Sequence, residues 1–324
     1  MAHAVRVHQY GGPEVLKFEP VEVAAPGQGE VQIRQHAVGL NYIDVYLRTG
    51  LYPQPSFPFT PGAEGAGEVT KVGPGVTEFK VGDRVAYAGA PGAYADERNI
   101  PADKIVKMPD AIDYKTAASM MLKGMTTQYL LKRTYKVGPG TVMLFHAAAG
   151  GVGLMACQWA KHLGATVIAT AGSADKCQLA KGAGATHAIN YRTENFVERV
   201  KDITGGKLCD VVYDSVGKDT FPASLDCIKP LGLFVTFGNA SGPLPPFNAG
   251  MLGAKGSLFM TRPSLGNYTA TRADLVATAN DLFDVVAKGI VKIAVSQAYP
   301  LREARQAHVD LESRKTTGST VLLP

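Results

Sequence analysis

The stretch FHAAAGGVG, residues 145–153, decides how this chain is read. It follows the apolar run TVMLF (141–145) and leads into LMACQWAKHLG, which reads as a helix ending near Gly164. A glycine pattern carries weight when a strand precedes it and a helix follows, and both do here. By spacing it is Ala-x-x-Gly-x-x-Gly, with Ala147, Gly150 and Gly153, where the usual dinucleotide fingerprint begins with Gly. Gly150 and Gly151 let the backbone approach a pyrophosphate, Val152 extends that turn, and Gly153 lets the helix pack on its strand. The helix N-terminus adds N–H groups and a positive partial charge, so an anion belongs there.

Outward from this turn the rhythm repeats. TVIAT (166–170) precedes a helix from about Ala174 to Lys181, HAIN (187–190) one from about Glu194, and CDVVYDS (209–215) one around Thr220 to Ile228. GLFVTFG (232–238) and GSLFM (256–260) bring the strand candidates to six. Strands alternating with helices predict an α/β, doubly wound parallel sheet, and strands this apolar fit burial on both faces. Before residue 125 the character differs. VQIRQHAVGL (31–40), GAGEVTKVG (65–73) and VGDRVAYAG (81–89) are short alternating runs punctuated by Gly and Pro, which predicts a β-rich, barrel-like module. After Arg262 a helix over about 272–288, a strand near 290–294 and TVLLP (320–324) are expected to return to that module. The predicted domains are 1–124, 125–264 and 265–324.

Composition narrows the function. Of 324 residues, 46% are hydrophobic and 19% charged, which is globular; the formal charge of +5 is scattered, so a nucleic-acid groove is not expected. The first twenty residues hold no signal-peptide core, and the glycines and prolines of the uncharged run 137–160 argue against a membrane span. Four cysteines without CxxC pairing, Cys157, Cys177, Cys209 and Cys227, read as reduced thiols of a cytoplasmic protein.

An NAD site places an acid at the end of the second strand, to bind the ribose hydroxyls. Here Ala171, Gly172 and Ser173 stand there. Ser173 is suited to cap the next helix, and Lys176 falls in its first turn, where a cation opposes the helix dipole unless an anion joins it. Tyr191 and Arg192 end the neighbouring strand. These positions predict NADPH, with its extra phosphate, rather than NADH.

With these motifs in place the chain resembles, over its whole length, the medium-chain dehydrogenase/reductase superfamily: a GroES-like module followed by a Rossmann module. The zinc enzymes of that superfamily carry a Cys after the strand matching VQIRQHAVGL and later a Gly-His-Glu motif. Asn41 and Ala63 occupy those places, and no Cys lies before 157 for a structural zinc lobe. The expectation is no metal, since Glu64 alone cannot hold zinc. GGPEVL (11–16), GLNYIDVYLRTGLYP (39–53), LKGMTTQYLL (122–131), VVYDSVG (211–217) and FVTFGNASG (234–242) resemble the zinc-free, zeta-crystallin-type NADPH:quinone oxidoreductases.

The resemblance implies transfer of reducing equivalents from NADPH to a quinone, whose ring spreads the developing charge so that hydrogen-bond donors suffice. It implies Asn41, Asp44, Tyr46 and Tyr52 as catalytic candidates, Asn41 also facing the nicotinamide ribose; Asp44 could equally cap a helix and the tyrosines could simply pack. Further cofactor candidates are Thr126, Thr127 and Tyr129, the strand-end residues Asp214 and Ser215, Gly238 and Asn239, Thr261 and Arg262, and Arg314 in the C-terminal SRKTTG. Two other readings are an NADPH-dependent enone or enoyl C=C reductase, and a crystallin-like structural or RNA-binding protein. The resemblance also implies a homodimer, formed through the apolar strand GSLFM.

Overall fold

The computed structural model describes residues 1–324, which divide into two compact units. The first unit contains residues 1–125, 269–287 and 293–324; the second contains 126–268 and 288–292.

In the first unit β1 (Ala2–Val7) and β2 (Leu16–Val21) form an antiparallel hairpin. A seven-stranded sheet takes five strands from here, β3 (Glu30–Leu40), β4 (Glu64–Val72), β5 (Arg84–Ala88), β6 (Glu97–Pro101) and β7 (Ile105–Lys107), and two from the C-terminal tail. The long β3 is its hub, pairing antiparallel with both β4 and β6. Helix α1 (Tyr42–Thr49) leaves the end of β3 and stops at Gly50, whose φ of 81° closes it. Helix α2 (Tyr114–Tyr129) follows β7. Ile33, Val38, Val69, Val85, Ile100 and Ile105 are fully buried in the core of this unit.

The second unit is a six-stranded, all-parallel sheet of β8 (Val142–Phe145), β9 (Thr166–Ala171), β10 (His187–Asn190), β11 (Cys209–Asp214), β12 (Ile228–Thr236) and β13 (Phe259–Thr261). Its order is β10-β9-β8-β11-β12-β13, which reverses direction at β8, so the carboxyl end of β8 is the switch point where ligands of such sheets bind. All six predicted strands are present. Helix α3 (Gly151–His162) follows the glycine turn, and Gly164 ends it with φ 85°. Helix α4 (Ala174–Gly182) is capped by Ser173, whose Oγ accepts the Lys176 N–H at 3.3 Å. Helix α5 (Phe196–Thr204) begins two residues later than expected because Asn195 caps it, accepting from Val197 and Glu198. Short helices α6 (Gly250–Ala254) and α7 (Leu265–Tyr268) flank β13.

One expectation fails here. The segment 220–228 is not an α-helix; only a 3₁₀ turn, Ala223–Cys227, forms. Pro222 has no N–H to give to a helical ladder, and the Asp214 carboxylate holds the segment by Val216 N, Gly217 N and Thr220 Oγ1 instead.

The tail rejoins the first unit. Helix α8 (Arg272–Ala287) and then β14 (Val295–Pro300), helix α9 (Ala304–Glu312) and β15 (Ser319–Leu323) complete the chain. Antiparallel pairing of β15 with β3 puts Thr320 opposite Leu40, and β14 lies parallel to β15. The strand expected near 290–294 is displaced to Val295–Pro300. Val291 is buried in the core and not in a ladder, whereas β14 alternates half-buried and exposed residues, an apolar pattern too faint to stand out.

Candidate cofactor and substrate sites

In the second unit the switch point is built from the glycine turn. Gly150 is the residue before α3, with extended φ −79° and ψ 172°, and no side chain caps the helix. The amides of Gly151, Val152 and Gly153 therefore open a helix with no carbonyl one turn behind them, and no acid lies in that first turn. Gly153 is required by close approach: a Cβ there would come within 2.5 Å of Ala148 Cα. A phosphate cradle needs this combination.

At the end of β9, Gly172 and Ser173 lie half-buried with no carboxylate at the strand terminus, and Lys176 sits in the first turn of α4. Tyr191 is 40% exposed; its N–H donates to the Ala171 carbonyl, and its hydroxyl would lie 2.6 Å from a Cβ on Gly172. Arg192 follows, exposed. The structure thus brings Gly172, Ser173, Lys176 and Tyr191 into one neighbourhood.

The other strand ends are more committed. Ser215 and Asn239 are half-buried, and Gly238 packs so closely that a Cβ would meet the Ser215 carbonyl at 2.5 Å. Asp214 is fully buried and spends its oxygens on the turn that follows. Arg262 NH1 donates to Thr236 Oγ1 and to the Gly238 carbonyl, both at 2.9 Å, fastening the end of β12. Thr126, Thr127 and Tyr129 are buried on α2; the Tyr129 ring stacks on Tyr268 at 4.5 Å, and burial pushes its hydroxyl up to about 12.

In the first unit, Asn41 and Asp44 meet at the start of α1. Asp44 Oδ2 accepts the Asn41 N–H at 2.9 Å, so Asp44 does cap the helix, and it also accepts from Tyr94 Oη at 3.0 Å. Burial drives its carboxyl up to about 7, against the hydrogen bonds from Asn41 and Tyr94 and the charge of Lys123. Asn41 Nδ2 donates to Glu64 Oε1 at 2.8 Å. Glu64, fully buried, also takes the Leu122 N–H at 2.7 Å and forms an ion pair with Lys123. Tyr46 faces inward from α1 and meets Tyr52 edge-on at 5.3 Å; Tyr52 is about one-third exposed. Arg314, exposed, follows α9 in a left-handed turn with φ 60°. Residue types alone did not point to Lys123, Tyr94, His308 or Arg48. The available hint was a lone Lys in the otherwise uncharged run 117–131.

The comparisons agree with this geometry. Residues 27–110 match the alcohol dehydrogenase GroES-like domain, and residues 151–280 match the zinc-binding dehydrogenase family. A quinone oxidoreductase of Pseudomonas aeruginosa is 54% identical over the full length of both chains. A 2-haloacrylate reductase of a Burkholderia species is 47% identical, covering all of this chain and 99% of its own. The solved structure of Escherichia coli quinone oxidoreductase complexed with NADPH superposes with a TM-score of 0.98 at 52% identity, covering 99% of this chain and all of that one. The fold and glycine turn define a medium-chain dehydrogenase/reductase. Within that superfamily the chain belongs to the quinone oxidoreductase family.

Zinc does not fit the residues present. The position of the superfamily's histidine is Ala63, Glu64 is neutralised by Lys123, and no three His, Cys, Asp or Glu side chains converge to hold a metal.

Proposed function

We propose that this chain is a zinc-independent, NADPH-dependent quinone reductase. The observation that carries the reading is the end of β9, where a carboxylate is missing and Ser173, Lys176 and Tyr191 gather beside Gly172. An acid at the strand end would repel a 2′-phosphate; Lys176 in the first turn of α4 attracts one, although Asp175 of the same turn also offsets its charge.

The α3 amides after Gly150 hold the pyrophosphate, and Ser215, Gly238, Asn239 and Tyr129 line the path of the remainder, with Arg262 keeping the β12 end in place. NADPH, when bound, supplies the hydride. Asn41 and Tyr46 present donors suited to the oxygen of the acceptor, where charge accumulates during reduction. Asp44 and Glu64 hold Asn41 by its backbone and its amide.

The test follows absorbance of NADPH and NADH with 1,4-benzoquinone in the presence of a chelator. Turnover with NADPH is expected to persist. Lys176→Ala is expected to weaken NADPH about tenfold or more, the worth of a charge-assisted contact, and to leave NADH nearly unchanged. Equal losses for both coenzymes reject the phosphate assignment.

A second reading, reduction of an activated C=C bond, is favoured by the 47% identity to the 2-haloacrylate reductase. It requires protonation at carbon, and rates with alkenals against benzoquinones separate the two. The buried, reduced thiols support a cytoplasmic setting. No helix is long and apolar enough to cross a membrane. A homodimer through β13 is supported by its free edge and by Phe259, 62% exposed. Sedimentation of wild type against Phe259→Lys tests it.

A further inference from the structure

The first unit buries a chain of polar side chains whose hydrogen-bond direction is set from one end. Arg48 is 1% exposed and can only donate. Its NH1 lies 3.1 Å from His308 Nδ1, so Nδ1 is the bare nitrogen of the ring. Burial and the Arg48 charge hold that imidazole neutral, down to about 3, and its proton therefore sits on Nε2. Nε2 is 3.0 Å from Tyr94 Oη and donates to it. The single Tyr94 hydroxyl hydrogen is left for Asp44 Oδ2, which also takes the Asn41 N–H. Behind Arg48 the chain is anchored, NH2 pairing with Glu312 at 2.5 Å and Nε donating to the Gly11 carbonyl. Gly62, with φ 98°, makes room for the Tyr94 ring, where a Cβ would come within 2.4 Å.

We propose that Arg48, His308 and Tyr94 are positioning residues for the reductase site, forming a one-way relay that aims Asp44 and, through it, Asn41; this rests on the reading of Asn41 given above. The relay draws on α1, the segment before β6 and α9, with partners 50, 214 and 260 residues apart. Its product is not a fully satisfied carboxylate. Asp44 Oδ1 is buried without a hydrogen-bond partner, which a purely structural cap has no reason to tolerate. Its effect falls on Asn41, which is gripped twice, by Asp44 at its N–H and by Glu64 at its amide.

The charged and titratable groups around Asp44 are Tyr94, Lys123 from α2, Glu64 from β4, and, one and two bonds further along, His308 and Arg48. Of these, Tyr94 and Lys123 favour the ionised carboxyl and Glu64 opposes it.

Tyr94→Phe keeps the ring and removes the hydroxyl donor, leaving Asp44 Oδ2 only the Asn41 N–H. The ionised form of Asp44 loses support, so the acid limb of kcat is expected to move up by about one pH unit, giving about a fivefold loss at pH 7 that is recovered at pH 9. NADPH affinity, read by fluorescence, is expected to hold. His308→Leu strands Arg48 NH1 and frees the Tyr94 hydroxyl to rotate; it is expected to shift the same limb. His308→Gln, which can accept from Arg48 and donate to Tyr94, is expected to return the limb toward wild type. An unshifted limb in Tyr94→Phe, equal damage from Leu and Gln at 308, or a protonated Nδ1 in the imidazole nitrogen spectrum overturns the relay alone. Wild-type protein that reduces no quinone removes the underlying reading, and the proposal with it.

Discussion

Ala147 carries φ 53°, in the left-handed region, at the position where the dinucleotide fingerprint has glycine. An L-residue there costs roughly 1–2 kcal/mol, while glycine returns part of that in unfolded-chain entropy. Ala147 is exposed, so its methyl packs against little. Ala147→Gly is therefore expected to stabilise by about 0.5–1 kcal/mol, raising Tm by about one to three degrees without harming NADPH turnover. A lower Tm in calorimetry contradicts the strain. The residues of this turn stand out as candidates because their chemistry is local: the glycines, Ser173 and Lys176 lie within about thirty residues of each other and next to recognisable strand ends. Tyr94, His308 and Arg48 were illegible for the opposite reason. Their meaning lies in contacts between segments far apart in sequence, and single Tyr, His or Arg residues in amphipathic runs look like ordinary surface.

The elements divide in a similar way. Strands β8, β9 and β11 announce themselves because burial on both faces demands unbroken apolar runs, whereas the edge strands β10 and β13 are only half-buried or exposed. The 220–228 segment misleads, because a polar hub and not helical periodicity organises it. His146, at the end of β8, bonds Thr170 on β9 at 2.9 Å and Ser224 of the 3₁₀ turn at 3.0 Å. Ser224 has one hydrogen, which goes to Asp214 or to the Thr220 carbonyl. His146 Nε2–H must then donate to Ser224 Oγ, and Nδ1 must accept from Thr170. All of Ser224, His146 and Asp214 are buried, so this Ser–His–Asp cluster is a joint between elements and not a nucleophile. Ser224→Ala leaves a buried N–H without an acceptor and is expected to cost about 1–3 kcal/mol in urea unfolding, with the KM for quinone unchanged. A cost near zero means the joint bears no load.

At the scale of the whole molecule, the order of a β-rich module, a parallel sheet and a returning tail was legible, since alternation of strands and helices begins abruptly after residue 125. How the two units respond to acid was not, because it depends on which titratable groups are sealed inside each. The second unit seals in His146, which burial keeps neutral and whose proton affinity it lowers. An unfolded histidine takes a proton near pH 6.5, so below that the unfolded form binds one that the native form refuses. Stability of the second unit therefore falls as the pH drops below about 6.5, burial outweighing the opposing charge of Asp214. Among the groups sealed in the first unit, His308 and Asp44 are shifted in opposing senses. His308, lowered to about 3, acts in the same sense as His146. Asp44, raised to about 7 from an ordinary 3.8, binds its proton in the native form first, so it stabilises as pH falls from about 7 to 3.8. Across roughly pH 6.5 to 4 the two nearly cancel. The second unit is accordingly the one expected to loosen first in acid. Hydrogen exchange at pH 5, rate-corrected against pH 7, should show protection lost in β8, β9 and β11 while β3, β4 and β5 hold. His146→Gln should remove that difference. Earlier loss in the first unit would mean that Asp44 does not hold its proton in the native fold.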